Sequence, residues 1–330
     1  MNNQRKGMFL IGSFGMFLMS AWILTAKQGI SMENQRIYQE AVKLQEKVDA
    51  LGFKGFCLSD FPVAMYDGKW DYVFYKGKVE KREPALSTFV GTAFPVEDHF
   101  EVIVPTLEQI DSLMSVVGGV EGMLIGGEYS FAQQKATIWH EAFHAYQLTN
   151  FGILGEKVTT EDMRAELEES KESGSPSQEE WLVREVDQKK GLKSKLEGEM
   201  SFLKKAVETD ASDIDELRRI VLEYSERRDK RLKEMPKEAR EAEIRCELTE
   251  GTAYYVEASV YRLACGDEAY KERYLDNLEA YEGGRGKYYR TGFAKCLILD
   301  RLAPDWKETF DFTKGLDEVL VKYGSKDDEL

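Results

Sequence analysis

The chain has 330 residues, 42% of them apolar and 12% aromatic, enough to bury a good core in one large domain or two small ones. Only seven prolines and a charged fraction of 32% point to much helix. The formal net charge of −15 repels nucleic acid and anionic membrane surfaces, which excludes nucleic-acid binding.

The N-terminus reads as a targeting segment. Arg5 and Lys6 precede an uncharged, mostly apolar run, Gly7–Ala26, and Leu24-Thr25-Ala26 would serve as a cleavage site. The run is also long enough to span a bilayer, so residues 1–26 read as a signal peptide or an N-terminal membrane anchor. Positive charge ahead of it predicts an extracytoplasmic protein, secreted or anchored by a single segment. The C-terminal Lys326-Asp327-Asp328-Glu329-Leu330 reads as a solvated acidic tail rather than a retention signal.

From about Met32 to Ala50, Ile37, Ala41, Leu44 and Val48 recur at helical spacing. A β-rich stretch follows, with strands expected at Phe53–Cys57, Trp70–Tyr75 and Phe100–Val104, and turns at Asp67-Gly68 and Lys76-Gly77. Leu107–Val117 reads as a short helix. Glu121–Gly127 is expected as a strand or loop beside the next helix, where an extended substrate could add as a strand.

That helix, from about Ser130 to Asn150, carries His140-Glu141-Ala142-Phe143-His144. Residues four apart on a helix lie on one face, so His140 and His144 can grip one metal ion. Glu141 is rotated away from that face and can act as a general base on water. The chain has three histidines, and two of them fall at this spacing around a glutamate. Chance occurrence of so short a motif is the competing explanation.

Beyond Gly152 the composition changes. Residues 153–240 are dense in Glu, Lys and Arg. Leu182, Val186, Leu196, Met200, Leu203 and Val207 make one stripe, and Ile214, Leu217, Val221 and Tyr224 another. Gly174-Ser175-Pro176 and Asp210-Ala211-Ser212 interrupt the run. The pattern predicts a charged helical hairpin inserted between the halves of a catalytic unit, with a solvated spacer preferred over a gating lid or docking arm. Flanking it are an N-terminal α/β part at 27–152 and a C-terminal helical part at 241–330.

A helix from Glu238 to about Cys265 holds Glu247-Leu248-Thr249-Glu250-Gly251-Thr252-Ala253-Tyr254-Tyr255-Val256-Glu257. A metal site with two histidines needs a third donor, and Glu247 and Glu250, three apart, can both point the same way. Gly251 lets another backbone come close. Gly292–Leu302 reads as a further helix ended by Pro304, and Thr313–Val321 as the last. Four cysteines, Cys57, Cys246, Cys265 and Cys296, form no CxxC pair. Cys246 and Cys265 would stand about 28 Å apart on one helix, so they cannot join. Cys296 can pair with either, or all remain free thiols.

Together HEAFH and EGTAYYVE resemble the gluzincin metallopeptidases, and most closely the catalytic domain of the aminopeptidase N family. The resemblance implies a zincin-like α+β, helix-dominated fold and Zn2+ held by His140, His144 and Glu250. It also implies Glu141 as general base, with Glu257 matching the family's following acid. Tyr289-Arg290-Thr291-Gly292 is similar to the family's Y-x-x-G segment, which implies Tyr289 as the oxyanion donor, with Arg285 or Arg290 assisting. The family's G-x-M-E-N element is absent, and Glu121-Gly122-Met123 is a weak echo, so aminopeptidase specificity is not implied. About a hundred residues separate His144 from Glu250, against a couple of dozen in the family. Such an insertion is tolerable because loop-closure cost grows slowly with length. The expected activity is hydrolysis of a peptide or protein substrate. The alternative is a non-catalytic binding module of the same fold with structural zinc or none.

Overall fold

A computed structural model of the chain describes residues 29–88, 90–117, 129–152, 154–165 and 178–325. The apolar run Gly7–Ala26, the segment Glu121–Gly127 and the terminal Lys326–Leu330 lie outside the described residues. Within them, no helix is long and apolar enough to cross a membrane.

Ser31 caps the first helix by accepting from the Asn34 amide, and α1 (Met32–Lys43) runs almost directly into α2 (Gln45–Asp49). The stretch Phe53–Cys57, expected as a strand, is instead a set of turns leading into a 3-10 turn at Leu58–Asp60. Gly52 and Gly55 take φ of +94° and +78°, a left-handed backbone incompatible with a strand. The aromatic residues that suggested β structure plug the core: Phe56 packs edge-on against Trp139 and Phe143.

Five strands follow: β1 (Val63–Tyr66), β2 (Asp71–Tyr75), β3 (Lys78–Arg82), β4 (Thr92–Val96) and β5 (His99–Pro105). Their order is β3-β2-β1-β5-β4, with β1 and β5 parallel and the other pairs antiparallel. β4, which contains Pro95, is an edge strand, as a residue without an N–H requires. α3 (Leu107–Val117) lies where the sequence placed it.

α4 (Phe131–Asn150) begins with a capping box: Ser130 accepts from the Gln133 amide while Gln133 accepts from the Ser130 amide. It is buried on most of its faces, packs on β4 and β5, and meets α1, where the Trp139 indole donates to the Ala41 carbonyl at 3.1 Å. Further helices are α5 (Gln178–Leu182), α6 (Lys190–Glu208), α7 (Ile214–Leu232), α8 (Lys237–Cys265), α9 (Asp267–Tyr270), α10 (Gly286–Leu302) and α11 (Leu316–Gly324). Single π-helical turns occupy Val183–Asp187 and Lys271–Leu275. The protein is thus a helix-dominated α+β chain with one five-stranded sheet among the described residues.

α6 and α7 pair as the expected hairpin, although the first apolar stripe is divided between α5, its π-turn and α6. The hairpin is not a solvated spacer. Leu203, Ala206, Leu217, Ile220 and Tyr224 join the main core, while Leu192, Leu196 and Met200 form a second one with Cys246 and Tyr288. Between the helices lies a buried ion network. Arg231 makes a two-pronged contact with Glu199, 2.8 Å at both oxygens, and Arg228 reaches Glu243 at 2.7 Å. Glu247 accepts from Arg228, from Lys295 at 2.7 Å and from the Thr291 hydroxyl at 2.6 Å. Charged side chains, exposed by default, are here made buryable by mutual pairing. All four cysteines are free thiols, Cys246 and Cys296 buried.

Candidate metal centre

Two helices bring the metal donors together. α4 presents His140 and His144 one turn apart, and α8, packed against it, supplies Glu250. His144 Nε2 lies 3.1 Å from His140 Nε2 and 3.1 Å from Glu250 Oε2, and His140 Nε2 lies 3.6 Å from the same oxygen. Donor atoms at tetrahedral corners, each ~2.0–2.1 Å from one zinc ion, are ~3.3 Å apart, so the observed triangle fits such an ion. The three side chains are 6, 16 and 12% exposed, which leaves the cluster reachable from a cleft of about 310 Å³. Among the described residues this is the one grouping of three or more His, Cys, Asp or Glu side chains that could hold a metal.

Each donor is steered from behind. His140 Nδ1 lies 2.9 Å from Glu257 Oε2, and the other oxygen of Glu257 accepts from the Tyr274 hydroxyl at 3.0 Å. Tyr274 sits in the π-helical turn Lys271–Leu275. His144 Nδ1 lies 3.0 Å from Gln147 Oε1, and the Gln147 amide donates to the Thr252 hydroxyl at 2.8 Å. Because the amide nitrogen is committed to Thr252, its oxygen faces the ring and selects the tautomer with Nδ1 protonated and Nε2 free. Glu250 divides its oxygens: Oε2 faces the imidazoles, and Oε1 accepts from Arg285 Nη1 at 3.0 Å.

The electrostatics suit a cation. Burial disfavours a charged His140, yet the carboxylates of Glu250, Glu257 and Glu141 outweigh it and raise its pKa to about 10. Burial likewise opposes the Glu250 anion, and the two imidazoles overcome that and hold it well below the usual carboxylate range. The cluster stabilises positive charge at its centre, whether carried by protons or by a metal.

Glu141 is buried in the same cleft. Burial, first among its influences, raises its carboxyl above the usual range. It lies against Gly91, just ahead of β4, where an added Cβ would come within 2.9 Å of Glu141 Oε1 and 2.8 Å of Thr137 Cγ2. Tyr289 lines the cleft from the first turn of α10, its ring nearly parallel to His140 with 5.9 Å between centres. Burial and then the Glu250 carboxylate push its phenol well above the usual value, so it is a hydrogen-bond donor at neutral pH.

Two sequence candidates fall elsewhere. Glu247 belongs to the buried ion network, and Arg290 pairs with Glu282 at 2.9 Å and donates to the Ala280 carbonyl. Of these two arginines it is Arg285, not Arg290, that lines the cleft. Gln147, Gly91 and Arg245 were missed; Gln147 alone had a signal, lying one turn beyond His144 on the same helix.

The glycines of the two resembling motifs meet. A Cβ on Gly251 would stand 2.4 Å from Gly292 Cα, so α8 and α10 cross in backbone contact and fix Glu250 relative to Tyr289. A larger groove of about 1060 Å³ over the sheet's outer face includes none of His140, His144 and Glu250. No protein-family model matches the chain, and neither a curated protein nor a solved structure matches it.

Proposed function

We propose that the chain is a zinc-dependent metallopeptidase of the gluzincin type, a zincin-like catalytic unit that accommodates the α6–α7 hairpin. One observation carries the proposal: Nε2 of His140, Nε2 of His144 and Oε2 of Glu250 converge at the spacing of three tetrahedral zinc ligands, with Glu141 buried beside them. A zinc ion held by His140, His144 and Glu250 would supply Lewis-acid polarisation of a carbonyl and lower the pKa of a water toward neutrality. Glu141 takes a proton from the attacking water and delivers it to the leaving amine. Tyr289 donates to the oxygen on which negative charge develops. Glu257 and Gln147 hold the two imidazoles with Nε2 facing the cleft. Gly91, Thr92 and Ala93 of the β4 segment line the cleft, and the edge of β4 that pairs with no other described strand offers backbone groups to an extended peptide. That is the role the sequence had suggested for Glu121–Gly127.

The test joins metal analysis to a peptide-library digest read by mass spectrometry. About one zinc per chain and cleavage by the native protein are expected. Glu141→Gln should keep the zinc and lose turnover by about 10²–10⁴-fold. Full turnover in Glu141→Gln removes Glu141 as the base. Near-zero metal after gentle purification defeats the proposal, and zinc without any cleavage leaves the binding-module alternative standing.

A further inference from the structure

Acidic residues outnumber basic ones by 60 to 45, so a cation with no carboxylate neighbour stands out in this chain. Arg245 is one. It lies on α8 one turn before Thr249, whose hydroxyl bonds the Arg245 carbonyl at 2.9 Å, and it lines the same cleft as His140, His144 and Glu250. Its Nε is buried without a hydrogen-bond partner, and no ion pair reaches its guanidinium among the described residues. The contrast with other arginines is sharp. Arg228 and Arg231 are enclosed by Glu199, Glu243 and Glu247, and Arg285 is held by Glu250.

A planar guanidinium facing a cleft with no acceptor is complementary to a carboxylate, which it binds through two parallel N–H···O contacts. The local charge points the same way. With a divalent ion on the donors, the ion together with Arg245 and Arg285 balances the carboxylates of Glu141, Glu250, Glu257 and Glu179, the last 3.7 Å from Arg285. The cleft then carries no net negative charge inside an acidic protein. Exposed charges farther than the ~8 Å screening length at physiological salt do little to oppose an anion entering it.

We propose that Arg245 is a specificity-determining residue that binds a carboxylate of the substrate in the metal cleft, from either an Asp or Glu side chain or a peptide C-terminus. The hydrolysis of that substrate rests on the metallopeptidase reading; the binding does not.

The probes are N-acetylated, alanine-rich hexapeptide amides with one Glu moved through the sequence, their Gln counterparts, and the Gln peptides as free acids. Zinc-loaded native protein, Arg245→Gln and Arg245→Lys are compared by calorimetric Kd and by kcat/KM. Native protein is expected to prefer at least one carboxylate probe over its neutral partner by about 10-fold or more, as befits a charge-assisted bond. Whether a Glu position or the free acid shows the preference identifies the source. Arg245→Gln should abolish it while leaving the neutral probes within about twofold, and Arg245→Lys, which keeps the charge but loses the fork, should retain part. Equal Kd values across every pair, failure of any probe to bind, or a preference that survives Arg245→Gln overturns the proposal. The two readings fail separately. A preference in Kd that Arg245→Gln removes, with no probe cleaved, upholds Arg245 and sinks the peptidase. Cleavage blind to charge does the reverse.

Discussion

A single methyl group on Gly251 tests whether the α8–α10 crossing sets the metal geometry. The added Cβ would lie 2.4 Å from Gly292 Cα and 2.9 Å from its carbonyl carbon, both backbone atoms that no rotamer change can move. Restoring ordinary contact requires the helices to part by about 1 Å, several times the ~0.2 Å that metal–ligand distances tolerate. Glu250 is the adjacent residue, so it moves with the crossing. Alanine's better helix propensity contributes about 1 kcal/mol in favour of the variant. Overpacking costs about 1–3 kcal/mol, and immovable neighbours place this site at the upper end, so destabilisation wins. Gly251→Ala is expected to lower the Tm by about 2–8 °C and weaken zinc by roughly 10-fold or more. Scanning calorimetry and competition with a chromophoric chelator measure the two effects. A variant with the native Tm and native zinc affinity would refute the claim that this contact positions Glu250.

Glu257→Gln should weaken zinc by about 10–100-fold with little change in metal-free stability, because the lost partner steers His140 rather than filling the core. Gly91→Ala should displace Glu141, cutting kcat by about 10–100-fold while zinc content stays at the native level; an unchanged kcat means that Gly91 does not govern the base. In the ion network, burial opposes the Glu243 anion, but Arg231 and Arg228 outweigh it and hold its carboxyl far below the usual range. A depressed folded-state pKa contributes stability that is complete above the ordinary value of ~4.5 and is lost as pH falls below it. Glu243→Gln, which leaves two buried guanidinium groups short of a counter-charge, should cost about 3–5 kcal/mol at pH 7 and flatten the fall in Tm between pH 5 and pH 3. An equally steep fall in the variant assigns the acid sensitivity elsewhere.

The helices that carry the donors were legible because their signals are local. The four-residue spacing of His140 and His144 defines one face of α4, and Glu247 and Glu250, three apart, share a face of α8. The sheet was harder to read. β3, Lys78-Val79-Glu80-Lys81-Arg82, is too polar to signal a strand, and β4 is interrupted by Pro95; both are edge strands, where polar residues and proline are tolerated. The hairpin was misjudged for a different reason. No spacing rule reveals that Arg228 and Arg231 find Glu199 and Glu243, on other helices, in the interior. For the same reason Glu247 and Glu250 were indistinguishable by spacing alone: one lies inside the ion network and the other at the metal cleft.

The π-turn at Lys271–Leu275 places Tyr274 over Glu257 by carrying one more residue per turn than an α-helix. Loss of any one residue from 271–273 would let the segment relax to regular helix and swing Tyr274 by about 100° around the axis. Glu257 would then lose its tether, and His140 would be freed in turn. The metal cleft is therefore exposed to a one-codon deletion in a stretch that contributes no residue to its lining, whereas conservative replacements of the exposed Lys271 and Glu272 leave the register intact.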